Sequence, residues 1–150
     1  MPNKLKPGVK APDFELFDQN LNKFKLSDCF NKKPVVIFFY PKDQTKICTK
    51  EVCCFRDKYQ EFINIGAEVV GISSDSIESH QQFSEKYHLP FRILSDPDGS
   101  VKNTYGISKV LGVIPGRETF IINKEGIIVH VCRDTFHGEF HVEKALEVLH

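Results

Sequence analysis

Three different hydrophobic patterns run along this chain, and each predicts a different element. Val35-Val-Ile-Phe-Phe-Tyr40 is an unbroken apolar run between Pro34 and Pro41. Such a β-branched and aromatic run predicts a strand buried on both faces. Past a polar loop, Lys42 to Thr45, the apolar positions step by three, four and one: Cys48, Val52, Phe55, Tyr59, Phe62 and Ile63. They share one face of a helix that runs to about Ile65 and stops at Gly66. Phe14-Glu-Leu-Phe-Asp and Lys23-Phe-Lys-Leu alternate around Asp18-Gln-Asn, which predicts a short N-terminal hairpin.

The remaining elements follow from the same rules. Ser27-Asp28 caps a brief helix through Phe30, and Glu68 to Ser74 is a second buried strand. Asp75-Ser76 caps a helix to about His88, with Pro90 beyond it. Arg92-Ile-Leu predicts a short strand, Asp96-Pro-Asp-Gly99 a turn, and Val101 to Tyr105 a short helix. Ile107 to Gly116 reads as a loop. Glu118 to Asn123 and Gly126 to Cys132 predict a hairpin over Lys124-Glu-Gly. Glu139 to Leu149 predicts a last helix, with Phe140, Val142, Ala145, Leu146 and Leu149 on or near one face. The order is α/β: strand–helix–strand units with a parallel, right-handed crossover, flanked by antiparallel pieces.

Composition adds bounds. The 150 residues make one domain, 1–150, and thirteen Phe supply much of its core. Net charge is zero with both signs mixed, which argues against an electrostatic nucleic-acid or membrane surface. The first residues hold no apolar signal segment, and no run reaches membrane-spanning length. Five cysteines at uneven spacing fit a reducing, cytoplasmic setting and working or buried thiols better than a disulfide framework.

The chemistry centres on Cys48. A thiol in the first turn of a helix leaving a central strand sits at the sheet rim, near the positive helix end that favours thiolate. Thr45 precedes it by three residues, and Glu51 follows by one helical turn. Alone, Thr45 reads as an N-cap and Glu51 as a first-turn acid. Together they spell Tyr40-Pro-Lys-Asp-x-Thr45-x-x-Cys48-Thr-Lys-Glu51-x-Cys53-x-Phe55-Arg-Asp57. That string resembles the active-site motif of the peroxiredoxins, and in particular the peroxiredoxin Q, or bacterioferritin comigratory protein, subgroup. The likeness extends to Ala11-Pro-Asp-Phe, Ser73-x-Asp75 with His80 and Phe83, Leu89-Pro-Phe, Leu94-Ser-Asp96 and Tyr105-Gly106. The chain departs from it at Lys46-Ile47, where the family usually has Pro-Gly, and at Cys54, where it has a small non-thiol residue.

The resemblance implies a thioredoxin-like fold, a central mixed sheet flanked by helices. It implies that Cys48 is the peroxidatic cysteine and Cys53 the resolving one. Helical geometry barely separates the candidates, since Cys53 lies roughly 140° round from Cys48 and Cys54 roughly 120° the other way; the family match selects Cys53. A peroxide-attacking thiolate also needs a cation. Lys42, Lys46 and Lys50 are close but flexible, and Arg56 could act through Asp57 or Glu51. Arg117, just ahead of the buried strand Thr119 to Ile122, matches the family's arginine. The implied activity reduces hydrogen peroxide and organic hydroperoxides through a sulfenic acid and an intramolecular disulfide, recycled by a thioredoxin-type dithiol. It needs no metal or other cofactor, and the subgroup points to a monomer.

Cys29 and Cys132 read as packed thiols, and the histidine pairs His80/His88 and His137/His141 lack an acid or cysteine in ligand register. Two rivals stand. A thioredoxin-like dithiol oxidoreductase would need a Cys-x-x-Cys, which is absent, and a proline where Glu118 stands. A metal-binding module would be built on Cys48, Cys53 and Cys54.

Overall fold

A computed structural model describes residues 5–107, 109–110, 114–115, 117–133 and 138–149. Its centre is a seven-stranded mixed sheet in the order β2-β1-β5-β4-β3-β8-β9. The apolar run forms β3, Val35–Phe39, buried throughout. It lies parallel to β4, Glu68–Ser73, and antiparallel to β8, Glu118–Ile122. The strand period of two divides its side chains. Val35, Ile37 and Phe39 enter one core layer, and Val36, Phe38 and Tyr40 the other. β5, Arg92–Ser95, continues the parallel part. The hairpin β1, Glu15–Asp18, and β2, Lys23–Lys25, adds on at that edge, and β9, Ile128–Arg133, closes the other. The two expected hairpins and the parallel crossover are therefore present.

One layer holds a 3-10 turn at Leu26–Cys29 and α4, Ser100–Thr104. The other is covered by α1, Lys46–Asp57; α2, Tyr59–Asn64; α3, Ile77–Tyr87; and α5, Gly138–Leu149. α1 is fixed by a parallel stack of Phe55 on Phe38, centroids 4.4 Å apart. Phe38 in turn needs glycine beneath it, because a Cβ at Gly71 would lie 2.6 Å from its Cζ.

Three expectations are corrected. The single helix to Ile65 is two helices, α1 and α2, parted at Lys58 with φ −101° and ψ 4°. Tyr59 and Phe62 resume the apolar face after the break, but Ile63 is exposed. The stretch read as a loop from Ile107 to Gly116 contains a two-stranded ladder, β6, Lys109–Val110, with β7, Ile114–Pro115. Phe140 faces solvent, and His141 takes the inner position beside Val142 and Ala145. Gly66 ends α2 with φ 76°, and the Ser76 hydroxyl caps α3 by accepting from the Ser79 amide, both as expected.

Candidate active site

The loop from Tyr40 to Thr45 carries the chain from the end of β3 into α1. It is held from beneath by Asp43, which is buried. Asp43 accepts from Tyr40 Oη at 2.5 Å and from Ser79 Oγ at 2.8 Å, and it contacts His80 Nδ1 at 2.6 Å. Its amide donates to Asp75 Oδ2 at 2.7 Å. His80 Nε2 faces the Leu94 carbonyl at 3.0 Å, an acceptor that requires a proton on that nitrogen. Asp43, Asp75 and His80 thus gather ligand-type atoms within 4.8 Å of one another, but hydrogen bonds within the network engage them. Asp43 had no assigned part in the sequence reading. Apart from Tyr40, its partners lie 32 to 37 residues away, so little in the local pattern marks it.

Cys48 occupies the first turn of α1 and is 1 % exposed. Its sulfur accepts from Arg117 Nη2 at 3.1 Å. The other arm of the guanidinium, Nη1, donates to Glu51 Oε1 at 2.7 Å. Arg117 is 3 % exposed and Glu51 0 %. Glu51 thus orients a cation against the sulfur, across 69 residues of chain. Burial pushes the Glu51 carboxyl up to about 7, against the pull of Arg117. Arg117 loses hydration in the same site, but Glu51 and Cys48 outweigh that and raise it, so it stays charged.

The other candidates fall elsewhere. Thr45 is the extended residue before α1, but its hydroxyl donates to the Lys42 carbonyl at 3.0 Å rather than capping the helix. Arg56 pairs with Asp57 at 3.0 Å and donates to the Tyr87 carbonyl, away from Cys48. Lys50 reaches Glu139 at 3.7 Å. Cys53 and Cys54 are half-buried on other faces of α1, and burial raises both thiols. Cys54 lines a groove with Val142 and Leu146 of α5. The three cysteines of α1 do not converge on a common point, as the metal-module rival requires. Cys29 and Cys132 are buried, and none of the five cysteines is held in a disulfide. His137 lies outside the described residues.

Sequence and fold comparisons show which family the chain belongs to. Residues 7–131 match the AhpC/TSA family. Chloroplastic peroxiredoxin Q of Sedum lineare is 46 % identical over 97 % of this chain and 78 % of its own length. The peroxiredoxin Q of Arabidopsis thaliana is 42 % identical over 97 % and 68 %. Among solved structures, peroxidoxin BcpB of Mycobacterium tuberculosis superposes with a TM-score of 0.89 at 37 % identity, covering 97 % and 96 % of the two chains. Peroxiredoxin Q of Xanthomonas campestris superposes at 0.86 and 29 %, covering 95 % and 96 %.

Proposed function

From the membership of this chain in the AhpC/TSA family, we propose a residue-level account of a thiol-dependent peroxidase. The peroxidase activity itself belongs to the family, as does recycling by a thioredoxin-type reductant. The Cys48 thiolate attacks the terminal oxygen of a peroxide, and the O–O bond breaks. Arg117 Nη2, already 3.1 Å from the sulfur, donates to the oxygens as charge moves onto the leaving group. The Thr45 hydroxyl, which donates to the Lys42 carbonyl in the peroxide-free site, turns to the bound peroxide and with the Cys48 amide completes the cradle. Cys53 then attacks the sulfenic acid and expels water, which leaves a Cys48–Cys53 disulfide. A dithiol donor takes that disulfide back to two thiols. No step calls on a metal or other cofactor.

The observation that carries this reading is the buried line Cys48 Sγ, Arg117, Glu51, with contacts of 3.1 and 2.7 Å. A cation enclosed beside a sulfur and aimed by a carboxylate is the arrangement a peroxidatic thiolate needs. Five cysteines at uneven spacing also suit a reducing compartment, and we place the protein in the cytoplasm as a monomer. The test compares peroxide consumption, with a thioredoxin system, between the parent and Cys48→Ser. Turnover is lost in the variant while its fold survives. Retention of most of the activity would remove Cys48 from the mechanism.

A further inference from the structure

Two buried polar atoms beside the Cys48–Arg117–Glu51 line take no part in the scheme above. Glu51 Oε2 is enclosed and lacks a hydrogen-bond partner among the described residues. An unsatisfied buried carboxylate oxygen is costly. His141 Nδ1, on the inner face of α5, lies 3.6 Å from that oxygen and 2.6 Å from Thr119 Oγ1 of β8. The His141 and Glu51 side chains are both 0 % exposed.

The charges decide what this arrangement holds. Counting the described residues alone, with the sulfur ionised Cys48 and Glu51 are negative and Arg117 positive, which leaves one negative charge in excess beside His141. A buried net charge is expensive. A single proton on Glu51 or His141 cancels it. The titratable and charged groups nearest this pair, among the described residues, are Cys48 on α1, Arg117 ahead of β8 and the buried Cys132 of β9, the cross-strand partner of Thr119. At the rim of the α1–α5 contact, Lys50 and Glu139 offset each other.

We infer that His141 is a positioning residue of the peroxidatic centre: it holds one proton in common with Glu51, and that proton is linked to ionisation of Cys48, so that the cluster carries no net charge. Burial of Glu51, which moves its titration to about 7, sets the exchange of this proton near neutral pH.

The linkage matches the reaction, and only this step rests on the peroxidase reading. Oxidation follows RS⁻ + ROOH + H⁺ → RSOH + ROH. An S–O bond forms, the O–O bond breaks, and the leaving alkoxide takes one proton. Conversion of the thiolate to a neutral sulfenic acid removes one negative charge from the cluster. The Glu51–His141 pair then has no further need of its proton, so one is released as one is consumed.

Histidine-selective ¹⁵N labelling and an NMR titration of His141 test the linkage in the reduced parent and in Cys48→Ser. Loss of the thiolate lowers the His141 midpoint by about one unit, the scale of a single charge acting over several ångströms. An unchanged midpoint, or no titration of His141 in the parent, overturns the inference. A second readout follows single-turnover oxidation with a pH indicator, at a pH where Cys48 is already ionised. Uptake well below one proton per sulfur supports the inference, and uptake of a full proton overturns it. The titration needs no peroxide, so a parent that shows the shifted midpoint but consumes no peroxide would sink the peroxidase reading alone.

Discussion

Formation of the Cys48–Cys53 disulfide must melt part of α1, and the size of that melting can be worked out. Both cysteines lie inside the helix Lys46–Asp57. Five residues of helix rise about 7.5 Å and turn 140°, which sets the Cα atoms about 8.7 Å apart. A disulfide needs about 4.4–6.8 Å, so the ends must approach by about 2 Å or more. For Cys54 the helical separation is about 9.8 Å, which rules out that partner in the intact helix too. Val52, fully buried between the cysteines, loses its cover, at about 1.5–3 kcal/mol. Both Arg117 contacts to α1 break as well. A total near 4 kcal/mol is within reach of sub-global opening and corresponds to roughly a thousandfold amide protection. Hydrogen exchange on the two redox forms measures it. In the reduced protein the amides from Val52 to Phe55 carry that protection; in the disulfide form it largely disappears, while the amides of β3 remain protected. Equal protection of residues 48–55 in both forms would show that the bond forms elsewhere.

Three further outcomes are expected. Arg117→Ala slows the first oxidation of Cys48 in single-turnover stopped flow by about two orders of magnitude, the usual cost of one charge-assisted donor; an unchanged rate would hand the role to another cation. Peptide mapping of oxidised protein finds Cys48 joined to Cys53, and Cys53→Ser suppresses the intramolecular bond more than Cys54→Ser; a Cys48–Cys54 linkage would reverse that assignment. Glu51 titrates at about 7 in the fold against an ordinary 4.5, so the native state binds the extra proton. Its stabilising effect is full below pH 4.5 and is lost as pH rises through 7, at up to about 1.4 kcal/mol per pH unit. Urea unfolding across that range should show a flatter pH dependence in Glu51→Gln than in the parent, and superimposable slopes would contradict it.

What could be read from the sequence was what neighbouring residues enforce. β3 followed from six apolar residues, and the stop at Gly66 and the cap at Ser76 from single side chains. The break at Lys58 was hidden because Tyr59 and Phe62 keep the helical step across it. Arg117 has a weak local mark, its place just ahead of a buried strand. Only the family motif singled it out, because its partner lies 69 residues away. His141 was considered only as half of a metal pair. Yet it stands four residues before Ala145, on the buried face of α5, and a polar residue at an apolar step of a helix was the available signal. Asp43 looked like any loop acid, since its burial is created by α3 and the end of β4.

The seam at Lys58 matters most while the enzyme waits for its reductant. In the proposed disulfide form a stretch of α1 is frayed, and frayed helices tend to unzip onward through a continuous ladder of backbone bonds. Here the ladder is interrupted, and α2 is moored independently by Phe62 in the core. The seam acts as a firebreak. It caps the length of slack chain that a protease could thread and the apolar surface that a neighbouring molecule could stick to. The oxidised form can therefore idle without being mistaken for a misfolded protein.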